Sequence, residues 1–177
     1  MPESGEIRRV HASDARRARS IRLEALDDPA ADIAFLETRE HAELHPDDFW
    51  QERTVGAALS DAAAQFIAEE GRDWVATVTV LLPEPGSVDY FGRVHLEGRA
   101  LLVSVYVRPS RRGRGILEAL IDAGADWASA RGARELALDV HQDNARAQRA
   151  YTRLGFLATG STSLGPNGVE LEMLRAL

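Results

Sequence analysis

The chain of 177 residues contains no cysteine. A disulfide framework, a thiol nucleophile and a thiolate zinc site are all excluded, so any chemistry must come from other groups. No run approaches the roughly 18 consecutive apolar residues of a membrane-crossing helix, and the opening residues MPESGEIRRV lack the basic-then-apolar pattern of a secretory leader. These absences predict a cytoplasmic protein without a membrane partner. Positive charge is in deficit, with 21 basic against 28 acidic residues and a net charge of −7. That balance argues against nucleic acid as a partner. An acidic surface suits a cationic acceptor such as an amine, although it equally serves solubility. No internal repeat is present.

What is present is an ordinary globular composition, 45% hydrophobic and 28% charged. The length predicts one domain over residues 1–177, burying about 70% of the unfolded surface. The most informative stretch runs from Ala100 to Arg131. Ala100 to Val107 is apolar apart from Ser104, as in a strand buried on both faces. Pro109 ends that strand. Arg111-Arg112-Gly113-Arg114-Gly115 follows, and then a helical stripe of Ile116, Leu117, Leu120, Ile121 and Trp127 or Ala128. A glycine-rich turn between a buried strand and a helix leaves several N–H groups unpaired at the positive end of the helix dipole. With three arginines beside it, such a turn suits a phosphorylated ligand. A plain solvated loop is the competing reading. A P-loop would need Gly-Lys-Ser/Thr, and a dinucleotide fingerprint would need glycine where Glu118 stands.

Along the rest of the chain, Glu6 to Val10 reads as a strand. Ser13 or Asp14 then caps a helix carrying Ala15, Ala18, Ile21 or Arg22, Ala25 and Leu26. Ala31 to Leu44 and Asp47 to Leu59 read as two further helices. Gln65 to Ala68 is a strand turning at Glu70-Gly71-Arg72. Trp74 to Leu82 alternates, with Trp74, Ala76, Val78 and Val80 on one face. Pro83 to Gly98, 16 residues, is a long loop, read either as a flap over a site or as an untidy hairpin connection. Glu135 to Val140 is a strand and Asn144 to Leu154 a helix ended by Gly155. Phe156 to Thr159 and Val169 to Leu174 form a last antiparallel pair.

Two motifs carry a resemblance. Val105-Tyr106-Val107-Arg108-Pro109 with Arg112-Gly113-Arg114-Gly115-Ile116 resembles the acetyl-CoA-binding core of the GNAT superfamily of N-acetyltransferases, whose usual pattern is Gln/Arg-x-x-Gly-x-Gly/Ala. Ser110 departs from its first position. Asp139 to Phe156 then resembles the family's strand followed by Asn144, Ala147, Tyr151 and Gly155-Phe156. Together they cover roughly Trp74 to Leu174, and the N-terminal helices more loosely.

The resemblance implies an α/β (α+β) fold. Its mixed, mostly antiparallel sheet would hold about six or seven strands flanked by about four or five helices, in β-α-α-β-β-β-α-β-α-β-β order. It implies an acetyl-CoA-binding core over 100–160 and acceptor-side helices over 30–60. Acetyl-CoA would be the cosubstrate, with no metal, an amine or protein amino group the acceptor, and a homodimer an allowed assembly. Carried over residue by residue, Val105, Tyr106, Val107, Arg112, Gly113, Arg114, Gly115, Ile116, Leu117 and Asn144 would bind the cofactor. A backbone N–H near Val105 and Tyr106 would hold the thioester oxygen, and Tyr151 would protonate the departing thiolate.

An amine of ordinary pKa about 10.4 must also lose a proton. The family has no fixed base, and Glu97, His95, Asp139 and His141 are candidates by placement. Plain alternatives stand beside these roles: Asn144 as a helix cap, Tyr151 as a half-buried core tyrosine, Asp143 as a cap. A non-catalytic acyl-CoA-binding module is the alternative to an enzyme.

Overall fold

A computed structural model of the chain describes residues 5–177. Seven strands form one sheet: β1 (Glu6–Arg9), β2 (Ala63–Glu70), β3 (Asp73–Leu81), β4 (Arg99–Val107), β5 (Glu135–His141), β6 (Leu157–Gly165) and β7 (Gly168–Ala176). They lie in the order β1-β2-β3-β4-β5-β7-β6. Neighbours are antiparallel except β4 and β5, which run parallel. The helices are α1 (Ala15–Leu26), α2 (Ala31–Ala34), α3 (Arg39–Glu43), α4 (Asp47–Leu59), α5 (Ile116–Ser129) and α6 (Ala145–Arg153). The strand count meets the expectation, but the six helices exceed it. The helix expected over Ala31 to Leu44 is two short ones. Phe35 leaves helical conformation at φ −136° and ψ 145° and is buried. Thr38 then starts α3 by accepting the His41 N–H at 3.2 Å.

The core has two parts, one on each sheet face. Under α5 the expected stripe is present, with Ile116, Leu120, Ile121 and Ala128 all buried against β2, β3 and β5 residues. Gly124 allows this closeness, because a Cβ there would stand 2.6 Å from Val80 Cγ2. The opposite face carries α1, α4 and Phe35 over Ile67, Trp74 and Tyr106.

The alternation expected for β3 fails at one point. Ala68 lies opposite Ala76 and Glu69 opposite Trp74, so Val75 is the extra residue of a bulge. Val75 joins Ala76, Val78 and Val80 under α5, and Trp74 turns to the α1 side.

β6 is longer than its sequence suggests. The expected strand ends at Thr159, but it continues to Gly165 as an exposed edge strand, with a register shift between Ala158 and Thr162. Among the described residues no helix is long and apolar enough to cross a membrane.

Candidate active site

The parallel pair is short. Arg99, Ala100 and Leu101 pair with Glu135, Leu136 and Ala137, and beyond that β4 stays with β3 while β5 stays with β7. Ser104 sits where β4 leaves β5. It has φ 53°, and the β3–β4 register shifts beside it, between Thr77 and Thr79. The polar residue that interrupts the apolar run is therefore a bulge, which turns the strand away and leaves its β5-facing edge without a ladder partner. The gap widens into a cleft of about 550 Å3, whose walls include Leu102 to Val107, Leu138 to His141 and the first turn of α5.

The structure brings most of the expected site residues to this cleft. Val105, Tyr106, Val107, Arg112, Gly113, Gly115, Ile116, Leu117, Asn144 and Tyr151 all line it. Arg114 does not; its side chain is exposed outside the lining. Gly113 and Gly115 have φ 73° and 80°. A Cβ at either would meet nothing within 4 Å. The turn is therefore open toward the cleft, with the α5 N-terminus behind it.

Two of the three expected arginines are already neutralised. Arg111 pairs with Glu70. Arg112 pairs with Asp28 and donates to Val107 O at 2.9 Å. Cationic groups the sequence reading passed over stand on α6 instead. Arg146 and Arg153 line the cleft, and neither has an ion-pair partner among the described residues. Arg146 and Arg153 lie seven positions apart, two turns along one face of α6, and that spacing was the available signal.

Asn144 is the N-cap of α6, accepting the Ala147 N–H at 3.2 Å and donating to Ile33 O at 3.4 Å. Asp143, expected as a cap, is not one; its backbone N–H donates to His141 Nδ1. Tyr151 is 8% exposed, and its hydroxyl has no hydrogen-bond partner among the described residues. Burial pushes its pKa well above the ordinary phenol value, with the nearby Arg146 charge opposing, so it stays protonated at neutral pH. Tyr106 points elsewhere: its hydroxyl donates to Glu24 Oε1 at 3.1 Å. Burial and the Glu24 charge push its pKa up to about 12.

The four base candidates fare unequally. His95 and Glu97 lie in the Pro83 to Gly98 loop, none of whose residues lines the cleft. That loop is a pinned hairpin rather than a flap over the cleft. Val88 bridges Val94, and Arg93 forks onto Asp139 at 2.9 and 2.7 Å. Asp139 is occupied by that contact. His141 is buried with both ring nitrogens engaged, Nδ1 by the Asp143 N–H and Nε2 against Asn167 O at 2.8 Å. The group left free is Glu170 on β7, which the sequence reading missed. It is 8% exposed, lines the cleft and has no hydrogen-bond partner among the described residues. Burial raises its pKa above the ordinary carboxyl value, the His141 charge opposing and Asp139 adding to the rise.

Glu37, His41 and His45 form a cluster with metal-ligand atoms close together. Glu37 Oε1 faces His41 Nδ1 at 3.1 Å and His45 Nε2 at 2.9 Å, while Oε2 holds Arg22.

A model of the Acetyltransferase (GNAT) family matches residues 23–156. The streptothricin acetyltransferase of Streptomyces lavendulae is 31% identical over 137 residues, which are 76% of this chain and 66% of that protein. The aminoglycoside N(6′)-acetyltransferase type 1 of Salmonella typhimurium is 29% identical over 115 residues, 65% of this chain and 77% of that one. The structure of a PaiA N-acetyltransferase from Thermoplasma acidophilum in complex with coenzyme A superposes with a TM-score of 0.74, covering 98% of this chain and 99% of that one, at 16% identity. The chain belongs to the GNAT family of acetyltransferases.

Proposed function

We propose that the protein transfers an acetyl group from acetyl-CoA to the amine of a small molecule by direct attack within a ternary complex. The observation that carries this reading is the parting of β4 from β5 at Ser104, which opens a cleft lined by the glycine-rich turn at one end and by Tyr151 and Glu170 within. The turn's free N–H groups and the unpaired Arg146 and Arg153 suit the phosphates of CoA. Backbone N–H groups on the unpaired edge of β4, near Val105 and Tyr106, suit the thioester oxygen as negative charge develops on it.

The amine nitrogen attacks the thioester carbonyl, the C–S bond breaks, and the thiolate takes a proton from Tyr151. Glu170 receives the proton that the amine gives up. A carboxylate raised by burial is better matched to that task than one clamped by arginine. A small amine accords with the streptothricin and aminoglycoside relatives, whose names state such acceptors. The test is free-thiol release from acetyl-CoA across a panel of amines, with CoA binding followed by calorimetry. Thiol release with none of the amines in a protein that binds CoA would reject the transfer reading.

A further inference from the structure

Beyond the cleft, a second and smaller cavity lies between α1, α4 and the sheet. It shares Phe35, Ser104 and Tyr106 with the cleft, so the two spaces meet where β4 turns away. Its volume is about 20 Å3. That is room for one or two oxygen atoms, since a single water needs about 10–15 Å3 on the same measure. A sugar or aminocyclitol ring does not fit.

The polar groups around this cavity are unusual in having donors left over. Arg53 lines it and has no ion pair or side-chain hydrogen bond among the described residues. Arg22, the other arginine lining the cavity, is neutralised by Glu37. Much of the Arg53 side chain keeps its surface exposed, yet desolvation and the Arg22 charge hold its pKa below the ordinary arginine value. The one acid opposing this is Glu37, whose carboxylate is already taken up by Arg22, His41 and His45. Trp50 is the independent observation. It lines the same cavity, is 3% exposed, and its indole N–H is buried without a partner. An indole N–H can only donate, as can a guanidinium. Gln65 and Thr77 are already engaged, Gln65 Nε2 donating to Thr77 Oγ1 and Thr77 Oγ1 to Phe66 O.

We propose that the acceptor amine carries a carboxylate, seated in this cavity against the Arg53 guanidinium and the Trp50 indole N–H, with the amine reaching past Ser104 into the cleft. The proposal rests on the amine-acetylation reading above and narrows it to zwitterionic acceptors, of the amino-acid kind. One oxygen takes the indole hydrogen bond and the group as a whole neutralises Arg53, so a buried donor and an unpaired guanidinium gain a partner together. The amine end then enters the cleft that Glu170 lines. A polycationic acceptor would instead place positive charge against Arg53.

The experiment compares acetyl transfer to the standard α-amino acids, their carboxamides, spermidine and an aminoglycoside, with wild-type protein and with Arg53→Met. At least one acid should exceed its own carboxamide by about 100-fold in kcat/KM, because a site built for a charged partner rejects the analogue lacking it. Arg53→Met should remove that preference while leaving the carboxamide rate within a few fold and CoA binding intact. An aminoglycoside or a carboxamide acetylated as well as the acid overturns the carboxylate site but leaves amine acetylation standing. Should no amine release thiol, the same acids are titrated calorimetrically into the CoA-bound protein. Binding lost in Arg53→Met supports the site, and binding that is absent or indifferent to the substitution overturns it.

Discussion

Tyr151 and Glu170 both line the cleft, one a phenol kept protonated by burial, the other a carboxyl whose proton burial holds more tightly than usual. If the Tyr151 hydroxyl protonates the thiolate, Tyr151→Phe keeps the ring against Phe156, 5.8 Å away between centroids, and removes only the donor. Acetyl-CoA binding should be little changed and turnover should fall on the order of 10²-fold. Wild-type turnover would leave protonation to water. Glu170 makes a sharper prediction, because its effect on stability and its effect on rate have opposite signs. A folded-state pKa raised above the unfolded one stabilises the fold at low pH, and that contribution is lost as pH rises through the folded value. Near neutrality the buried, unpartnered charge is therefore a liability. Glu170→Gln should melt higher than wild type at pH 7, lose that advantage below about pH 4, and transfer acetyl more slowly. A variant with a lower melting temperature at both pH values would show that Glu170 has a partner holding it in place.

The element that makes the site is the bulge at Ser104 together with the turn that follows β4. A non-glycine residue at φ 53° costs about 1–2 kcal/mol. Ser104→Gly should therefore raise the thermal midpoint by a few degrees, and Ser104→Val should lower it, both read by circular dichroism. Gly115 has open space around its missing Cβ. Gly115→Val is thus strained through its φ alone, and a folded variant should still lose CoA because the branched side chain stands where the backbone must approach phosphate. Calorimetry showing near-normal affinity would remove this turn from the cofactor site.

The strand, the turn after it and the Asn144-to-Tyr151 helix were legible in the sequence, since the apolar run, the prolyl stop and the glycine spacing are local patterns; the bulge at Ser104 was not. What was not legible is non-local. Val169 to Leu174 reads only as one strand of a last antiparallel pair, and it is the order β5-β7-β6 that places it inside the sheet, with Glu170 buried. Arg53 has no reading from the sequence beyond its place in the Asp47 to Leu59 helix, and only the packing of α4 over the sheet brings it to the cavity. The Val75 bulge and the extended Phe35 escaped because each answers to packing rather than to propensity.

Across the whole molecule, arginine–carboxylate pairs tie the α1 face to the sheet and to the turn. Glu24 holds Arg108 at 2.7 Å, Asp28 holds Arg112, and Glu69 holds Arg17 and Arg8. In Glu24 and Glu69 the arginine hydrogen bonds are the largest influence and keep the carboxyls below their ordinary values. For Asp14, Asp28, Glu37 and Asp89, desolvation pushes upward and is outweighed by hydrogen bonds and neighbouring positive charge. All six shifts have the same sign. A depressed carboxyl contributes stability above its unfolded pKa, and that contribution is lost as pH falls through the folded value. Stability should therefore hold between neutrality and about pH 5, then decline steeply below about pH 4. The Glu24 pair isolates one contribution within that decline. Because both side chains are about one third exposed, at 32% and 37%, solvent screens the pair, and Glu24→Gln should lower the melting temperature at pH 7 by only about 1–3 °C. At pH 3, where Glu24 is largely protonated in the unfolded chain, the difference should shrink. Melting curves displaced equally at both pH values would mean that Glu24 acts through its packing and its hydrogen bond from Tyr106, with the charge on Arg108 contributing nothing.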